Sequence, residues 1–141
     1  MSTNDKASPH VNGGGFDPRG VIDPSRALVP AVTRLNERRV ARGFWPKIRH
    51  VAARIPFAAD VLQLWYLARD PETPATAKGL VLAALAYFVL PIDAIPDFLP
   101  AIGYTDDAAV IAAVIALVGK NLKPAHKAAA KEALARLAED A

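Results

Sequence analysis

The sequence predicts an all-α fold: a small helical bundle built around an antiparallel apolar helical hairpin with a Pro/Asp-rich turn. Three observations predict it. Residues 79–92 and 108–119 carry no charge at all, and each is long enough for three or more helical turns. Between them, residues 90–107 (LPIDAIPDFLPAIGYTDD) concentrate Pro91, Pro96, Pro100 and Gly103 with four carboxylates, Asp93, Asp97, Asp106 and Asp107. The second apolar segment is rich in alanine and follows a Thr-Asp-Asp start, which favours helix over a buried strand.

Composition bounds the rest. A chain of 141 residues with a 52% apolar fraction builds one domain's core. It has no cysteine, which excludes disulfides, thiol catalysis and thiolate metal sites. The opening MSTNDKASPH has no apolar run behind a basic one, so no cleavable signal peptide is expected. A net charge of +3 is too mild to argue for nucleic acid, which is not expected as a partner. Its distribution is more telling. Arg26, Arg34, Arg38, Arg39, Arg42, Lys47, Arg49 and Arg54 precede the apolar centre, and Lys120, Lys123, Lys127 and Lys131 follow it. Basic flanks around an apolar centre suit contact with anionic membrane lipid.

Along the chain, residues 1–26 hold many prolines and glycines and few apolar side chains, so a disordered arm is expected. Residues 27–63 form a basic, amphipathic helical region. Within it one helix is expected over 28–42, with Leu28, Val32, Leu35 and Val40 as its apolar stripe and Gly43 as its end. A second is expected to start at Pro46 and run to residue 69, kinked at Pro56. Trp45, Trp65 and Tyr66 fit either core or interfacial anchors. Pro71 and Pro74 then close one helix and open the next, with Thr73 placed to cap it. The helix over 79–90 is apolar on every side and must be buried or in lipid. The next spans 106–119, capped by Thr105, Asp106 and Asp107. Ala108, Ala112 and Ala116, with Gly79 and Ala83, are small residues four apart that would let the two helices approach closely. Residues 120–141 are expected to form an amphipathic surface helix with Ala130, Leu134 and Leu137 along one side. At 1.5 Å per residue the two uncharged runs reach only about 21 and 18 Å, against about 30 Å of hydrocarbon. A short embedded hairpin or a bundle core therefore fits better than two ordinary spans.

The combination of RDPETPATAK with YFVLPIDAIPDFLPAIGYTDD resembles the YkvA-like family, the bacterial domain of unknown function numbered 1232, over about residues 64–119. The pattern falls on Asp70, Pro71, Thr73, Pro74, Lys78, Tyr87, Pro91, Asp93, Pro96, Asp97, Pro100, Gly103, Tyr104, Asp106 and Asp107. Leu90 and Ala94 depart from it, standing where relatives often have serine and leucine. The resemblance implies a multi-pass membrane location and no activity, while the short uncharged runs between basic flanks suggest an embedded hairpin with cytoplasmic termini.

Four acids with no base beside them in sequence need compensation by backbone amides, a cation or protonation. Caps and turn hydrogen bonds are the plainer role. A divalent-cation site is the sharper one, with Asp93, Asp97, Asp106 and Asp107 as oxygen ligands for Mg or Ca in a soluble module, although their spacing is not that of an EF-hand loop. No other cofactor is expected. His10, His50 and His126 are scattered beside polar or basic residues and read as solvated. There is no nucleophile elbow, zinc-protease helix, phosphate loop or dinucleotide fingerprint, so no catalytic residue is assigned. The leading expectation is a non-enzymatic, membrane-associated accessory or scaffold protein, with a protein partner or a homo-oligomer left open and a cytoplasmic location as the alternative.

Overall fold

A computed structural model of the chain describes residues 17–89 and 100–140, with 100–106 described by backbone alone. Every regular element among them is helical, as expected. The residues form α1 (Pro18–Val21), α2 (Pro24–Ala27), α3 (Pro30–Val51), α4 (Ala58–Arg69), α5 (Ala75–Phe88), α6 (Pro100–Val118), a 3₁₀ turn (Gly119–Asn121) and α7 (Pro124–Asp140).

Structure begins earlier than the disordered arm expected over 1–26 allows. Two Asp-Pro pairs explain this: Asp17 and Asp23 are N-caps whose carboxylates accept the backbone N–H of Arg19 and Ser25, both at 3.0 Å, and each is followed by a proline at the first helical position. Ile22 and Ala27 are buried, so these short helices join the core.

Gly43 and Pro46 do not separate two helices, contrary to expectation. α3 runs unbroken through both. Gly43 serves close approach instead, since a Cβ there would lie 3.2 Å from the Cβ of Val89. The break falls at 52–57, where Pro56 disfavours helical backbone at Ile55 and the chain turns into α4. The buried stripe of α3 is Asn36, Val40, Phe44, Ile48 and Val51, in steps of three and four residues, while Leu35 faces solvent. Phe44 stacks on Trp65 at 4.5 Å between ring centroids, and Trp45 meets both edge-on. Trp45, Trp65 and Tyr66 thus pack against the core.

α5 is the central rod. Residues 79–86 are buried without a gap, and α3, α4, α6 and the short α1 and α2 all pack against it. An all-apolar helix demands such cover. Gly79 does not receive the α6 alanines: the space above it is filled by Leu28, whose Cδ2 would lie 2.5 Å from an added Cβ. On α6 the inward stripe is Asp107, Val110, Ile111, Val114 and Val118. The row expected to face inward points the other way, with Ala112 and Ala116 exposed and Ala108 half-buried. α7 lies along α4 through His126, Ala130 and Ala133, with Leu134 and Leu137 half-buried beside them.

Candidate functional site

Of the four carboxylates singled out in the turn, Asp93 and Asp97 lie outside the described residues, as do Pro91 and Pro96. Pro100, Gly103, Tyr104 and Asp106 fall in the opening turns of α6. That placement overturns the capping role expected of Thr105, Asp106 and Asp107, because the helix starts at Pro100 and all three lie inside it.

Asp107 is a buried acid on the inward stripe, 5% exposed. A positive charge from a distant part of the chain, Lys47 on α3, acts on it. Burial pushes the Lys47 ammonium below the usual lysine value, and the Asp107 carboxylate acts against that shift. The Lys47 Nζ also stands 5.3 Å from the centroid of the Phe88 ring, a cation–π contact at the end of α5. One lysine on α3 therefore meets the last turn of α5 and acts on α6. The missing base was not legible in sequence, because 59 residues separate Lys47 from Asp107 and only the packing of α3 on α5 brings them near.

The second polar centre surrounds Asp70, at the C-terminal cap of α4. One carboxylate oxygen accepts the Glu72 backbone N–H at 2.8 Å. The other accepts from His126 Nε2 at 2.8 Å and pairs with the Lys123 ammonium at 3.4 Å. The Glu72 amide first, and then the His126 hydrogen bond, hold the Asp70 carboxyl below the usual carboxylate value. Lys123 also pairs with Glu72, which raises its ammonium above the usual lysine value. His126 is 5% exposed, correcting the expectation of a solvated ring.

The role of that ring follows from its partners. The Lys123 backbone N–H can only donate, and it does so to Nδ1 at 3.0 Å. Nε2 therefore carries the hydrogen and donates it to Asp70. Lys123 precedes Pro124 at the start of α7, so the third helical residue reaches back to the cap amide, the arrangement glutamate makes in a capping box. An Asp–His pair is also the orienting half of a catalytic triad, but here both ring nitrogens are engaged and none is left to take a proton from a substrate. The geometry docks α7 on α4. Next to it, the Thr73 hydroxyl donates to the Leu67 carbonyl at 2.7 Å, closing α4 rather than capping α5 as its position suggested. Pro71 and Pro74 lie in the same 70–74 connection, with Pro74 at the N-cap of α5.

Among the described residues no group of three or more histidines, aspartates or glutamates could hold a metal ion. Nor is any helix among them long and apolar enough to cross a membrane.

Residues 77–113 match the model of a family described as a protein of unknown function, DUF1232. The likeness to that family is confined to this segment. It holds most of α5, the connection after it and the first part of α6, including Asp107. The chain is 34% identical over 68 residues to an uncharacterised membrane protein, YkvA, of Bacillus subtilis (strain 168). That YkvA match covers 48% of this chain and 64% of the relative, so it spans somewhat under two thirds of the other protein's length. Asp70, Pro71 and Pro74 precede the residues matched by the family model. No solved structure matches the chain significantly.

Proposed function

We propose that this YkvA-like chain is a non-enzymatic accessory or scaffold protein that attaches to a membrane through the outer face of α6. The observation that carries the reading is the character of that face. α6 has no charged residue from Ala108 to Val118, and it turns Ala112, Ala116 and Leu117 to solvent, Leu117 being 54% exposed. An apolar helix face left uncovered by the described residues, ending at the exposed Lys120, suits insertion at headgroup depth with the lysine directed back to the phosphates. The description of the relative as a membrane protein supports the same location.

Embedding the α5–α6 hairpin as a unit, with cytoplasmic termini, is the deeper form of this reading. It is less well supported, because α5 spends its apolar surface on α3, α4 and α6. Contact through α6 leaves that core intact and places no burden on helix length.

Flotation with lipid vesicles tests the reading. The protein should rise with vesicles containing phosphatidylglycerol. Leu117→Gln, which removes apolar area without adding charge, should weaken attachment by about tenfold. A wild-type chain that stays at the bottom of the gradient with every vesicle, or a Leu117→Gln variant that floats equally well, would overturn it.

A further inference from the structure

We propose that the cavity between α1–α2, α3 and α5 is a binding site for a phosphate-bearing molecule with a short apolar portion. The cavity has a volume of about 310 Å³ and is lined on its polar side by Arg26, Arg39 and Asn36, and on its apolar side by Val32, Ala83 and Ala86. A volume of this order lies at the small end of the range for ligand pockets. The site is separate from the outer face of α6: none of its lining residues belongs to that helix.

Asn36 is the observation that makes this more than a groove. It sits in the second turn of α3, on the buried stripe, only 7% exposed. Its side-chain amide has no hydrogen-bond partner among the described residues, yet it lines the cavity. A buried amide offers two donors and an acceptor, and proteins rarely leave such groups unanswered. A ligand oxygen would answer them. The charge at the mouth says which kind. Arg26 and Arg39 reach the cavity from two different helices, both exposed, and no carboxylate lines it among the described residues. Two guanidinium forks beside an amide donor match the several acceptor oxygens of a phosphate, and the doubly charged monoester balances both arginines. The alanine and valine wall, in turn, accepts a small apolar group and excludes a second charge.

A phosphate can reach the site on a soluble molecule or on a lipid headgroup, and the experiment separates the two. Thermal melting is followed with millimolar phosphate or glycerol 3-phosphate, against sodium chloride at equal ionic strength. The soluble source predicts a melting temperature that climbs with ligand concentration. Arg39→Gln should raise the concentration needed by about tenfold. Asn36→Leu should abolish the ligand response while leaving the unliganded protein as stable as wild type or more so, because it removes an unanswered polar group. Arg34→Gln, an exposed arginine outside the cavity, should respond like wild type. The lipid source predicts no response to glycerol 3-phosphate but retention by vesicles containing phosphatidylglycerol that is lost in Arg39→Gln and kept in Arg34→Gln. Leu117→Gln should retain the response to soluble phosphate, so failure of the α6 reading would not carry this one with it. Silence toward both sources would overturn the proposal. So would a phosphate response that persists unchanged in Asn36→Leu and Arg39→Gln, since general salting effects do not depend on those two residues.

Discussion

Replacing Lys47 with methionine should destabilise the chain by about 2–3 kcal/mol, because it removes a positive charge that acts on the buried Asp107 carboxylate. The figure is set by the acid. Removing one member of a fully buried ion pair costs roughly 3–5 kcal/mol, since the remaining charge keeps its desolvation penalty. Lys47 is only half-covered, so water can reach the vacated site and the cost should fall to the bottom of that range or just below it. Methionine keeps the stem that packs near Phe88, so the loss reports charge rather than volume. The reverse truncation should be gentler. Asp107→Asn leaves an ammonium on a long stem that can swing toward water, at a cost of about 1 kcal/mol.

Urea unfolding followed by tryptophan fluorescence measures both. The midpoint should fall in Lys47→Met with the slope unchanged, and the melting temperature should drop by about 6–12 °C for a chain of this size. The double variant Lys47→Met with Asp107→Asn should recover much of the loss, giving a coupling free energy of about 1–2 kcal/mol. Additive single effects, or a Lys47→Met variant that melts within about 2 °C of wild type, would refute the electrostatic coupling of Lys47 to Asp107.

Two further outcomes follow from the contact between α4 and α7. His126→Ala removes the ring that caps α7 and bonds Asp70, and should cost about 1–3 kcal/mol, with faster amide exchange along α7 before the rest of the chain. The same contact sets an acid limb. The Asp70 carboxyl is depressed in the folded chain, so its contribution is fully present above the ordinary unfolded value of about 4 and is lost as pH falls through the lower folded value. Melting temperature should therefore drop on acidification below about pH 4, and Asp70→Asn should flatten that drop while lowering stability at neutral pH.

Much of the bundle was legible from pattern alone. The uncharged run of α5 required burial on all sides, and the alanine-rich stretches favoured helix; α5 and α7 fell close to where these features put them, while α4 holds only the second half of the helix expected over 46–69. The errors share a cause. Gly43 and Gly79 read as a helix stop and a helix–helix contact, yet each glycine makes room for one side chain, Val89 and Leu28, that sequence spacing cannot pair with it. Thr105, Asp106 and Asp107 carried the local signature of a helix start, and the proline at position 100 offered an earlier one, which won. Asp17 and Asp23 stand among glycines and prolines that suggest disorder, although Asp-Pro is itself a helix-opening pair.

The polar groups were harder to read than the apolar ones, for a reason that bears on function. Apolar periodicity is a local property, whereas the partner of a buried polar group is chosen by tertiary packing. Asp107 finds Lys47 on α3, and Asp70 finds His126 on α7, each across more than 50 residues. Both pairs answer a charge inside the protein and so act on the fold. Asn36 is buried to a similar degree and is answered by no described residue. In a bundle that matches its other buried polar groups across such distances, an amide left facing a cavity with two arginines is the position at which a molecule from outside the chain would complete the structure.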